Sequence, residues 1–161
     1  VPILHNHYQF QGLKPDGTQT LIAPRVGLQI QGPIVQATVS LSPAFIAAMT
    51  DHGETLPPPK SGLVLIDTGA SSTCVDLEAA ATMGLPVIDV ARMTSATHSE
   101  VECPVYPIQL QIVGLPLVFQ ARRALGAALS AQGLLALIGR DALAGALFIY
   151  NGPSGEITLC L

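Results

Sequence analysis

Apolar and polar positions alternate along Val26–Leu41, VGLQIQGPIVQATVSL, with one interruption at Gly32-Pro33. A period of two on both sides of such a pair predicts two half-buried strands joined by a tight turn. Ser42-Pro43 then places a capping residue before a proline at the first helical position, which predicts a short helix. The rigid Pro57-Pro58-Pro59 run follows it, and residues 42–62 read as a surface insertion. Gly62–Ile66, GLVLI, is a continuous apolar run that delivers Asp67-Thr68-Gly69, so a buried strand is expected to end where a carboxylate and a glycine turn begin. DLEAAATMG predicts a short helix stopped at Gly84. The stretch VIDVARMTSATHSEVECPVYPIQLQIVG predicts two strands around a polar tip. Gly114–Gln120 continues as strand, and a second apolar run, Leu134–Ile138, feeds Gly139-Arg140-Asp141 and a short helical stretch. LFIYNGPSGEITLCL reads as a closing hairpin around Asn151–Gly155.

Composition sharpens this into one all-β domain. The 161 residues suffice for a single core, and abundant Val, Ile, Leu, Gly and Pro with few aromatics and no Trp favour short strands and turns. Only 11% of residues are charged, against about 25% in an average soluble domain, so part of the surface is expected to be covered, most simply by self-association. A net charge of -4 with no basic run gives no footprint for nucleic acid. Cys74, Cys103 and Cys160 are an odd number at wide spacings, which fits buried small hydrophobes better than disulfides or zinc ligands. His5-Asn6-His7 puts two imidazoles on one strand face, but with no third ligand in view no metal site is expected. The uncharged stretch Ala124–Gly139 is shorter than the roughly 20 residues a helical span needs, so it reads as core and no membrane partner is expected. VPILHNHYQF lacks the pattern of a signal peptide, which points to the cytoplasm, while a chain opening on Val1 is also compatible with a lost leader.

Asp67 is the most informative residue. An ionisable group after a run of apolar ones, followed by a hydroxyl and a glycine, is either a carboxylate at a desolvated, tightly turned site or an Asp that caps its own turn. Local sequence leaves both open.

The wider pattern does not stop there: LVLIDTGASSTCVD (Leu63–Asp76) followed by LLALIGRDAL (Leu134–Leu143) resembles the retropepsin family of aspartic proteases. The resemblance runs over Val26–Leu161, leaving residues 1–25 as an N-terminal extension and 42–62 as an insertion in the protease domain. It implies an all-β, closed barrel-like acid-protease fold with a psi loop and one or two short helices. It also implies peptide-bond hydrolysis by a pair of aspartates, with a peptide or protein substrate and no metal or organic cofactor. This chain holds one Asp-Thr-Gly. Asp16-Gly17-Thr18 has the wrong order, and Asp89 and Asp141 lack the following hydroxyl and glycine. A homodimer would therefore have to supply Asp67 twice, with the C-terminal ITLCL segment in the interface.

By the same resemblance Thr68 would reach across the dimer axis, and Gly69 would permit the close turn beneath the carboxylates. Ala70, Ser71 and Ser72 would border bound peptide. Alanine at 70 cannot donate the hydrogen bond a serine there could, so activity is expected at mildly rather than strongly acidic pH. Ala96, Thr97 and His98 would sit in the flap, which here lacks the family's glycines. Leu135 and Leu137 would line pockets for apolar side chains. The family's arginine after the second glycine often pairs with an aspartate just beyond the catalytic loop. Ser71 stands at that place, so Arg140 is expected on Asp76, on Asp141 or in solvent. A catalytically silent dimerisation or peptide-binding module, or the oligomerisation domain of a larger protein, are the alternatives.

Overall fold

The computed structural model describes residues 2–93 and 101–161. Strand outweighs helix, 46% against 20%, so the chain is mainly β as its composition implies.

The N-terminal segment forms β1 (Ile3–His7) and a small hairpin of β2 (Phe10–Leu13) and β3 (Gln19–Ile22). Next comes a departure from the pattern-based reading; a second is the stretch from Gly114 to Leu117, read as strand, which is a turn before the strand that starts at Val118. Val26–Gln31 is the body of a helix, α1 (Pro24–Gln31), rather than the first arm of a hairpin. VGLQIQ satisfies a period of two, but Pro24 at the first turn presets helical φ. The helix carries Leu28 into the core at zero exposure while Ile30, which strict alternation would bury with it, is 72% exposed. Gly155 also packs so closely on Pro24 and Arg25 that a Cβ there would land on their backbone. Gly32, at φ +74°, ends the helix.

Alternation does describe β4 (Ile34–Leu41), which turns Val35, Ala37, Val39 and Leu41 inward. The helix α2 (Pro43–Asp51) opens at Ser42-Pro43 as expected and rests Phe45, Ile46 and Met49 against the core. After it come β5 (Lys60–Ile66), β6 (Cys74–Asp76) and α3 (Leu77–Met83), the last ended by Gly84 in the left-handed region. The strands β7 (Asp89–Met93) and β8 (Val101–Ile112) pair antiparallel, and the tip between them lies outside the described residues. The chain closes with β9 (Val118–Ala127), β10 (Ala136–Ile138), α4 (Arg140–Leu143) and the hairpin of β11 (Leu147–Asn151) and β12 (Glu156–Cys160). Four α-helices thus stand among the described residues where the family resemblance implied one or two; of the four, α1 is the one that the pattern of residues did not predict.

Six strands close into a barrel in the order β4-β5-β10-β6-β9-β8, sealed by pairing of β4 with β8 from Ala37↔Ile112 to Leu41↔Ile108. The lone edge strand β7 hangs on β8. A separate sheet, β1-β12-β11, packs Ile157 and Leu159 into the same core. Residues 3–8 are thus tied to the body of the protein. β1 pairs along all of β12, and the buried Tyr8 donates its hydroxyl to the Ile34 carbonyl at 2.6 Å. Burial pushes the Tyr8 phenol up to about 12, a smaller hydrogen bond from Asn6 opposing it and Tyr150 adding to it. No described helix is long and apolar enough to cross a membrane.

Asp76 joins three elements. One carboxylate oxygen caps α3 by accepting from the Ala79 N–H at 3.0 Å, and the other accepts from the Leu129 and Ser130 N–H groups at 2.9 and 2.8 Å. Burial works against its charge, yet those donors together with Lys60 outweigh it and hold the carboxyl below its ordinary value. A depressed carboxyl adds stability that is present above its unfolded value of about 3.9 and is lost as pH falls through the folded one. Asp76→Ala is therefore expected to cost about 3 kcal/mol at neutral pH, from a lost cap and two buried N–H groups left without an acceptor. In urea denaturation the gap to wild type should narrow below about pH 4.

Candidate active site

The turn that follows β5 is built by a strand far away in sequence. Because β10 lies between β5 and β6, parallel to the first and antiparallel to the second, its end meets the start of the Asp67 turn. The Asp67 N–H donates to the Ile138 carbonyl at 2.9 Å, and the Arg140 and Asp141 N–H groups donate to the Ala70 and Ser71 carbonyls. Crossing this closely requires Gly139, whose missing Cβ would overlap the Ser72 carbonyl carbon and the Thr73 backbone. Asp141 completes the seam. Its Oδ1 accepts from both the N–H and the hydroxyl of the fully buried Thr73, each at 2.8 Å, and the Thr73 hydroxyl oxygen accepts from the Gly139 N–H at 3.2 Å.

Within that frame Asp67 is half-buried. Its Oδ1 accepts from the Gly69 N–H at 2.8 Å and the Ala70 N–H at 3.3 Å. Alanine at 70 thus contributes through its backbone what its side chain cannot. The other oxygen, Oδ2, has no hydrogen bond among the described residues and is available for chemistry. Of the two local readings, the turn cap is the one these bonds show: the carboxylate caps its own turn with one oxygen.

Asp67 also faces a cavity of about 550 Å³, bordered by Gly69, Ala70, Ser71 and Ser72 on the turn side. Its far wall is apolar, made by Cys74, Met93, Leu125, Leu129 and Leu137, with Gln132 the one amide among them. Of the two leucines singled out by sequence, Leu137 lines this cavity, whereas Leu135 packs on Gly62 and lines a separate hollow beside Asp76. Thr68 points away, exposed, into a groove of about 380 Å³ on the other side of Asp67, formed by Ile30, Pro33, Leu65, Phe148 and Tyr150. Ala96, Thr97 and His98 lie outside the described residues.

The partners expected for Arg140 are corrected. Its guanidinium donates to the Thr68 carbonyl at 2.8 Å and the Gly69 carbonyl at 3.1 Å, gripping the Asp67 turn by its backbone. Asp76 and Asp141 are instead taken up by N–H and hydroxyl donors. Sequence reasoning also missed Leu125, Leu129 and Gln132, which reach the cavity from the end of β9 and the 3-10 turn Ser130–Gln132. The available signal was Gly133, which at φ +69° ends that turn. The Cys74 thiol, also in the wall, is pushed up to about 11 by burial, with Cys103, Asp141 and Asp67 adding to the effect. It therefore stays protonated at neutral pH. Among the described residues no group of three or more His, Cys, Asp or Glu is placed to hold a metal.

If the seam holds the turn, Gly139→Ala should cost at least about 3 kcal/mol, because the Cβ meets backbone that cannot yield. Gly145→Ala, in open space just after α4, should stay within about 0.5 kcal/mol of wild type. Paired urea titrations check both.

Neither a scan against models of known protein families nor a search of curated proteins finds a match to this chain.

Proposed function

We propose that this chain is an aspartic endopeptidase of the retropepsin type, active as a homodimer in which each copy supplies Asp67. The observation that carries the reading is the Asp67 turn itself. A carboxylate at the end of a buried strand is fixed through one oxygen by two backbone N–H groups and borders a cavity whose far wall is apolar. The closed barrel and the passage of β10 between β5 and β6 are in keeping with the family's fold and its psi-shaped loop. Among the described residues a single carboxylate borders the cavity, and the sequence holds one Asp-Thr-Gly, so the second would come from another copy.

Two carboxylates a few ångströms apart cannot both ionise cheaply, so the pair keeps one proton and titrates as a unit. The ionised Asp67 takes a proton from a water held between them, and the water oxygen attacks the peptide carbonyl carbon. The protonated twin gives its proton to the carbonyl oxygen. Collapse of the tetrahedral intermediate breaks the C–N bond, the leaving amine taking a proton from the carboxyl that had acted as base while the twin recovers its own proton as the carbonyl re-forms, which restores the singly protonated pair. Gly69 and Ala70 hold the carboxylate in place, and Arg140 holds the carbonyls behind it, so little reorganisation is needed during the reaction. The wall of Leu125, Leu129, Leu137 and Met93 suits an apolar side chain next to the cleaved bond.

Incubating wild type and Asp67→Asn with an unstructured protein from about pH 3 to about pH 7, a range that brackets plausible dyad titrations, tests this by mass spectrometry. Wild type should cleave beside apolar residues with a bell-shaped pH profile, and Asp67→Asn should lose at least about 1,000-fold in kcat/KM. Equal silence from both proteins would favour a peptide-binding module instead.

A further inference from the structure

Resting on the peptidase reading, we propose where the second copy docks: two chains pair antiparallel through the free edges of their β11 strands, centred on Ile149. The three-stranded sheet leaves few choices. Both edges of β12 are already taken, by β1 on one side and β11 on the other, so the C-terminal strand has no backbone edge to offer a partner. Among the described residues β1 and β11 each keep one edge of that sheet unpaired.

These two edges differ in chemistry and in place. β1 reads ILHNH, and His5, Asn6 and His7 blunt it with polar and ionisable groups. It lines a hollow that does not include Asp67. β11 reads LFIYN, with no charge and no proline, the composition of an edge with no protection against pairing. Leu147 is 60% exposed, and Ile149 and Tyr150 are each 48% exposed. Phe148 and Tyr150 line the very groove that reaches Asp67 and Thr68.

A two-fold axis through the middle of a five-residue strand pairs all five residues and sets Ile149 beside its own copy. Phe148 and Tyr150 line the same groove as Asp67 and the exposed Thr68, so a partner docked on this edge would border that groove. The strand edges alone would fall short of the roughly 800 Å² per partner that a stable dimer buries. The groove must close as well, which gives Ile30, exposed on the last turn of α1, an apolar partner surface.

Charge placed at the centre of an isologous contact repels itself, and opposite charges on two copies attract, so the test is a charge swap. Ile149→Lys and Ile149→Glu, each purified alone, should dissociate at least about 100-fold more readily than wild type in sedimentation experiments, and mixing them should restore association to within about tenfold. Ile149 points outward, so circular dichroism should show both variants folded. Ile3→Lys, at the other free edge, should associate as wild type does. Variants that still associate like wild type, or a mixture that gains nothing, would overturn the β11 interface while leaving Asp67-dependent cleavage by wild type intact. Association that obeys the charge swap in a protein with no Asp67-dependent cleavage would overturn the peptidase reading and leave the interface standing.

Discussion

Everything distinctive in this protein depends on β10 being held between β5 and β6. A three-residue strand is too short to be stable by its own hydrogen bonds, and it is fixed because Ala136 and Ile138 are wholly buried while its backbone is paired on both sides. Once there, it delivers the Ile138 carbonyl to Asp67, Gly139 to the Ser72 backbone, Asp141 to Thr73 and Arg140 to the carbonyls of Thr68 and Gly69. The chemistry-bearing turn is thus braced on both of its backbone faces by one segment some 70 positions later in the chain. A turn held only by its own residues would cost entropy to order each time a substrate bound; this one is ordered in advance.

That arrangement explains which parts could be read from the amino acids and which could not. GLVLI, LLALI and the final hairpin are apolar runs or alternations bounded by strong turn signals, and such signals are local. The Asp76 cap and the Gly84 stop made α3 legible for the same reason. VGLQIQ was not, because its spacing satisfies two periods and the choice is made by distant contacts, chiefly Gly155 against Pro24 and Leu28 in the core. The pairing of β1 with β12 spans nearly the whole chain and leaves no mark in either strand. At the site, the carboxylate and its turn could be found from spacing. The role of Arg140 could not, since its acceptors are backbone carbonyls, and every residue has one.

Low charge finds a physical place in the same picture. A chain with 11% charged residues has few ways to break up an apolar surface, and here the exposed Ile30 and Tyr150 line the groove beside Asp67, while the exposed Leu147 and Ile149 stand on the same strand as Tyr150. Scattered exposed apolar side chains need no explanation, but a set that borders an unpaired strand edge and a groove does. On the opposite side of Asp67 the cavity is also apolar, though concave and walled by Leu125, Leu129 and Leu137. Convex or flat apolar surface suits a folded partner, and concave surface suits a side chain. Asp67 stands between the two. A carboxylate at that boundary is dry on neither side until both are filled, so its electrostatic environment is set jointly by whatever occupies the groove and whatever occupies the cavity. Were the groove to take a second copy and the cavity a peptide, as proposed, the two events would be thermodynamically linked: a ligand in the cavity that favours the paired form must tighten the pairing by the same factor by which pairing tightens the ligand.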